Sequence, residues 1–227
     1  MAKIGTFEDF RNFAIDKTNA KPSVIDATVK DFITPFILEE RKMNVTQLDV
    51  FSRLMYERIV FLSGEVTPES MNTITAQLLY LDSVDNRDIN IYINTPGGDC
   101  YSGLQLVSVM DFIKSDVATT VLGMAASMGA VIASSGAKGK RFALPYSRFM
   151  IHQPSSYHGY AKFTDSKIAL QEMESIRNDL YEVLAKNSGK SIEEIIQLCE
   201  NGDKWYKSDE IIKAGFIDSI IQGNKGK

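Results

Sequence analysis

Cysteine is scarce in this chain: Cys100 and Cys199 are the only two in 227 residues. Two thiols cannot build the multi-bridge framework of a small secreted domain, and there is no Cys-x-x-Cys spacing of the metal-binding kind. Long hydrophobic runs are missing too. No segment offers the roughly 20 uninterrupted apolar residues that a bilayer-spanning helix needs, and the N-terminal stretch lacks the apolar core of a secretory signal. Excess positive charge is also absent, because the net charge is −4 and the pI is near 5.3. Phosphate binding depends on concentrated Lys and Arg, so a nucleic-acid partner is not expected. The phosphate-cradling pattern Gly-x-x-x-x-Gly-Lys-Ser/Thr does not occur. These absences point to a cytoplasmic protein without a membrane anchor, a metal or a bound cofactor.

What is present is ordinary globular material, 44% apolar and 24% charged, long enough for one large α/β domain. Residues 1–40 are mixed in character and read as an N-terminal arm or removable propeptide, 41–222 as a single domain, and 223–227 as a C-terminal tail. From residue 58 the pattern is regular. Strand-like runs at 59–62, 89–93 and 117–122 alternate with helical spacing at 68–81, 101–113 and 127–134. Thr67 is placed to cap the first of these helices, with Pro68 at its first position. The face of that helix is read as Ile74, Leu78, Leu79 and Leu81. Short strands are expected at 142–144 and 148–151, and Lys138-Gly139-Lys140-Arg141 reads as a solvated turn. A long helix at 164–186, capped by Thr164 or Asp165, is followed by helices at 192–199 and 208–213 and a last strand at 216–221. Such alternation implies repeated βαβ units around a mostly parallel sheet.

Ser127 lies in Gly123-Met124-Ala125-Ala126-Ser127-Met128-Gly129, where a strand gives way to a helix, and His152 follows in Met150-Ile151-His152-Gln153-Pro154. A serine hydroxyl is a weak nucleophile until an adjacent base takes its proton, so the pair supplies a nucleophile and a base. Each has a plainer reading. Ser127 alone is a helix cap, and His152 alone is a structural histidine. The other histidine, His158, sits among polar residues and is expected at the surface. Asn94-Thr95-Pro96-Gly97-Gly98 leaves a strand with two glycines, which let the backbone approach a ligand and aim an N–H at an oxyanion. A carboxylate to complete the set has several candidates after His152, namely Asp165, Asp179, Asp203, Asp209 and Asp218.

These segments, with Phe51-Ser52-Arg53-Leu54, Glu57-Arg58-Ile59-Val60-Phe61-Leu62 and Gly136-Ala137-Lys138-Gly139-Lys140-Arg141, closely resemble the proteolytic subunit of the Clp protease from about residue 50 to 221. The resemblance implies a crotonase-like α/β fold of repeated βαβ units with a long protruding handle helix. It implies a serine endopeptidase of unfolded polypeptides, with Ser127 as nucleophile, His152 as general base, Asp203 as the acid of the triad, and Gly98 and Met128 as oxyanion-hole donors. It further implies two stacked heptameric rings and an AAA+ unfoldase ATPase that hydrolyses the ATP. The chain departs from the family at Met124, usually Gln, at Ser155-Ser156-Tyr157-His158-Gly159-Tyr160, usually Gly-rich, and at Gly202, often Arg. A catalytically silent ring subunit would share the fold but lack a triad member. An acyl-CoA enzyme on the same scaffold would need no Ser–His pair.

Overall fold

The computed structural model describes residues 36–41, 44–155 and 162–223. The chain divides into two units, Met1–Arg53 and Leu54–Lys227. In the first, strands β1 (Phe36–Arg41) and β2 (Asn44–Asp49) pair antiparallel, Phe36 opposite Asp49 and Arg41 opposite Asn44. Helix α1 (Val50–Tyr56) follows, and the Asp49 carboxylate accepts from the Ser52 N–H at 3.0 Å, which together with the Ser52 hydroxyl holds its pKa down.

In the second unit the elements run β3 (Ile59–Ser63), α2 (Pro68–Val84), β4 (Ile89–Thr95), α3 (Cys100–Phe112), β5 (Val117–Ala126), α4 (Met128–Ser134), β6 (Arg141–Ala143), β7 (Arg148–Ile151), α5 (Phe163–Ser188), α6 (Ile192–Glu200), β8 (Lys204–Lys207), α7 (Ser208–Lys213) and β9 (Ser219–Ile220). Strands β3-β4-β5-β6-β9 lie side by side in parallel. On the edge away from β4, β5 serves two neighbours. Thr119–Val121 pair with β6, and Met124–Ala126 pair with β7. β8 then runs antiparallel to β7.

The sequence explains most of this. Ile89, Ile91 and Ile93 of β4 are fully buried, and burial of each such side chain stabilises by about 1.5–3 kcal/mol. Thr67 caps α2 as expected, accepting from Ser70 N–H at 3.2 Å, while the Ser70 hydroxyl accepts in return from the Thr67 N–H. The buried face of α2 is Met71, Ile74, Leu78 and Leu81, and Leu79 points outward. All seven residues of α4 are buried.

Several expectations are corrected. α5 begins at Phe163 with Lys162 at its N-cap, so neither Thr164 nor Asp165 caps it. Only Leu180, Tyr181, Leu184 and Ala185 of α5 are buried, whereas Phe163, Ile168 and Leu170 in its first half are exposed. The strand expected at 216–221 is only Ser219–Ile220, because Phe216 turns inward to stack on Phe149 at 5.2 Å. β8 was not expected. Arg141 is not solvated either: it is 3% exposed and bound to Asp218.

Candidate active site

Three strand ends converge on one place. Ala126, the last residue of β5, pairs with Met150 of β7, and the Ser127 N–H donates to the Met150 carbonyl at 2.9 Å. Ile151, the last residue of β7, pairs antiparallel with Lys204, the first of β8. One step past each pair stand Ser127, His152 and Asp203. Register alone thus brings residues separated by 25 and 51 positions in the chain side by side.

Their side chains meet in series. His152 Nε2 lies 2.8 Å from Ser127 Oγ, and His152 Nδ1 lies 3.0 Å from Asp203 Oδ1. With the ring proton on Nδ1 donated to the carboxylate, Nε2 is left as acceptor for the hydroxyl. Ser127 occupies the N-cap position of α4, yet its side chain makes no capping bond. The cap reading fails because the hydroxyl turns to the imidazole instead. Its backbone is held at φ 54°, ψ −124°, a region that non-glycine residues rarely enter. Such a corner projects a nucleophile away from the strand and helix that flank it.

The other carboxylates are placed elsewhere. Asp218 accepts from Arg141 Nη2 at 2.7 Å and from Arg141 Nε at 3.0 Å. Asp165 and Asp179 lie on α5, and Asp209 lies in the first turn of α7.

Gly97 and Gly98 follow β4 at φ 94° and 147°. The turn is pressed against the nucleophile's corner: a Cβ built on Gly97 would stand 2.6 Å from the Ala126 carbonyl, 2.8 Å from Ser127 Cβ and 2.9 Å from Met128 N. Only glycine fits there. The glycine turn and the first amide of α4 are therefore neighbours.

A small cleft of about 20 Å³ opens beside Ser127 and His152, walled chiefly by Cys100, Met128, Val131, Ile151, Leu180 and Leu184. Apart from Met128, the sequence reading did not single out these walls. Leu180 and Leu184 stand four apart on α5, a spacing that marks one apolar helix face and was the available signal. The Cys100 thiol is raised in pKa by burial and by the neighbouring Asp99 charge, which makes it a poor nucleophile at neutral pH. Among the described residues, no group of three or more His, Cys, Asp or Glu is disposed to hold a metal, and no helix is long and apolar enough to cross a membrane. His158 lies outside the described residues.

A hydroxyl, an imidazole and a carboxylate in series beside close-set backbone amides, at the strand ends of an α/β sheet, define a serine hydrolase. Residues 41–224 match the family model described as Clp protease. The chain is 45% identical over 218 residues to the ATP-dependent Clp protease proteolytic subunit of Bacteroides fragilis, covering 94% of this chain and 98% of that one. It is 42% identical over 222 residues to the subunit of the same name from Porphyromonas gingivalis, covering 96% and 99%. With the subunit from Streptococcus agalactiae it shares 47% identity over 192 residues, 84% and 97% of the two chains. This chain belongs to the Clp protease family, and its α/β fold is the crotonase-like one of that family.

Proposed function

We infer that the chain is the proteolytic core subunit of an ATP-dependent Clp protease, a serine endopeptidase in which Ser127, His152 and Asp203 act as a triad. The observation that carries the reading is the continuous series from Ser127 Oγ through both ring nitrogens of His152 to Asp203. As Ser127 Oγ forms its bond to the scissile carbonyl carbon, His152 Nε2 takes the hydroxyl proton. The carbonyl oxygen gains the negative charge, and the Gly98 and Met128 N–H groups receive it. Collapse of this tetrahedral species breaks the C–N bond, with the proton passing from His152 to the leaving amine. Water then attacks the acyl-enzyme, giving a proton to His152 and releasing the new carboxylate and the Ser127 hydroxyl. Asp203 holds the imidazole with its proton on Nδ1 and stabilises the imidazolium that forms twice in the cycle.

The subunit works in two stacked heptameric rings in the cytoplasm, fed with unfolded polypeptide by an AAA+ unfoldase that hydrolyses the ATP. The apolar residues Phe163, Ile168 and Leu170, exposed on the first half of α5, support that helix as the contact between rings. The arm at residues 1–40 is removed on maturation, a step that intact mass of the purified protein checks. A Ser127→Ala variant tests the reading: it should sediment as the parent does and hydrolyse no fluorogenic peptide, with or without the unfoldase. Undiminished cleavage by that variant overturns it.

A further inference from the structure

The two amides that receive the oxyanion belong to different elements, Gly98 to the turn after β4 and Met128 to the start of α4. One side chain touches the backbone on both sides. Thr95, the last residue of β4, is 0% exposed. Its Oγ1 accepts from the Gly97 N–H at 3.0 Å, within buried surroundings. Its methyl group faces the other way, against the nucleophile's helix: a Cβ built on Gly129 would come within 2.4 Å of Thr95 Cγ2. The same residue therefore ties down the glycine turn and sets how near α4 can approach it.

The rest of the turn is fastened to the loop before α2. The Val66 N–H donates to the Gly97 carbonyl and the Asp99 N–H donates to the Val66 carbonyl, each at 2.8 Å. None of these bonds uses the Gly98 N–H. A glycine pair has little conformational preference of its own, so the aim of that N–H depends on what holds its neighbours. Threonine hydroxyls commonly accept from the amide two residues on, and here that bond fixes the Pro96–Gly97 peptide plane, next to the Gly97–Gly98 plane whose carbonyl the Val66 N–H holds.

We propose that Thr95 is a positioning residue for peptide hydrolysis: it sets the separation and aim of the Gly98 and Met128 amides, its hydroxyl acting through Gly97 and its methyl through Gly129. The proposal rests on Ser127 being the nucleophile. Oxyanion donors work only when they lie about 2.7–3.1 Å from where the charge develops, so a small rotation of the turn is costly in the transition state and nearly silent in the ground state.

Thr95→Val keeps the shape and the methyl contact but deletes the acceptor, whereas Thr95→Ser keeps the acceptor and deletes the methyl. With a fluorogenic peptide, Thr95→Val should lower kcat by about 10- to 100-fold with KM changed by less than about twofold. It should weaken a peptide aldehyde, whose adduct oxygen occupies the oxyanion position, by a similar factor, and leave binding of the corresponding peptide amide unchanged. Thr95→Ser should keep kcat within about fivefold of the parent, since the hydrogen bond survives. The proposal is overturned if Thr95→Val assembles and retains parental kcat and aldehyde affinity. It is equally overturned if both variants lose aldehyde and amide binding together with ring assembly, which marks a merely structural role. A parent protein whose hydrolysis survives Ser127→Ala instead sinks the underlying assignment.

Discussion

Replacing Asp218 by Ala strips a buried guanidinium of its counter-charge. The carboxylate of Asp218 accepts four hydrogen bonds, from the Gly139 N–H, the Arg141 N–H, Arg141 Nε and Arg141 Nη2, at 2.7–3.0 Å. Arg141 has a side chain 4% exposed, and its Nη1 donates to the carbonyls of Ser134 and Asn187. Loss of one partner from a buried ion pair costs about 3–5 kcal/mol, because the remaining charge stays desolvated and unpaired. Asp218 keeps some solvent contact at 19% exposure, so the low end, about 3 kcal/mol, is the appropriate figure. For a chain of this size that corresponds to a fall in Tm of roughly 6–12 °C. Asp218→Asn, which keeps an acceptor, should fall about half as far. Thermal melts of parent and variants at pH 7, followed by circular dichroism, give the values. The hydrogen bonds and charge of Arg141 outweigh the desolvation of Asp218 and hold its pKa down. A carboxyl with a depressed folded pKa stabilises above the usual carboxylate range, and that stabilisation is lost as the pH falls through the depressed value. The gap between parent and Asp218→Ala should therefore stay constant from pH 7 to 5 and narrow only below the usual carboxylate range. An Asp218→Ala melt within 1 °C of the parent would refute the reasoning.

Four further outcomes follow from the structure. Asp203→Asn should lower kcat by about 10³- to 10⁴-fold with Tm nearly unchanged, because the imidazole loses the partner that fixes its tautomer; steady-state peptide hydrolysis measures it. Gly97→Ala should abolish hydrolysis, as its Cβ collides with the nucleophile's corner. Gly64→Ala, at φ 83° with open space around it, should keep activity and lose about 1–2 kcal/mol of stability; denaturant melts alongside the peptide assay separate the two effects. The Cys199 thiol, pushed up to about 12 by burial and the nearby Glu200 charge, should resist iodoacetamide at pH 8 in the folded protein and react once unfolded, which peptide mass mapping reads.

The parts of the fold legible in the sequence are those where local chemistry and burial agree. Thr67-Pro68 announces α2 because a cap and a fixed φ are needed at that point, and the isoleucines of β4 mark a strand buried in the sheet. β8 was invisible because Lys204-Trp205-Tyr206-Lys207 is too short and too charged to show a period. Its pairing with β7 is decided by tertiary register. The β1–β2 hairpin carries Glu39-Glu40-Arg41, which reads as a charged arm when strand pairing is not known. Arg141 misled for the same reason: in sequence it closes a Lys-rich run, and only the fold supplies Asp218 seventy-seven positions away.

The site was legible to a similar depth. Ser127 and His152 stand in segments whose glycine and alanine content permits close backbone approach, and the family resemblance separated Asp203 from four other carboxylates. No local pattern made that last distinction, because Asp203 acts through the antiparallel pairing of Ile151 with Lys204. Thr95 shares its motif with two glycines, and no sequence pattern places its hydroxyl on the Gly97 N–H or its methyl beside Gly129.

The most direct measurement of the account is the site of covalent capture by a fluorophosphonate, mapped by mass spectrometry on the assembled protein. A single adduct on Ser127, lost in His152→Ala and accompanied by loss of peptide hydrolysis, is the predicted result. An adduct on another residue, or hydrolysis that persists after Ser127 is fully modified, would contradict it.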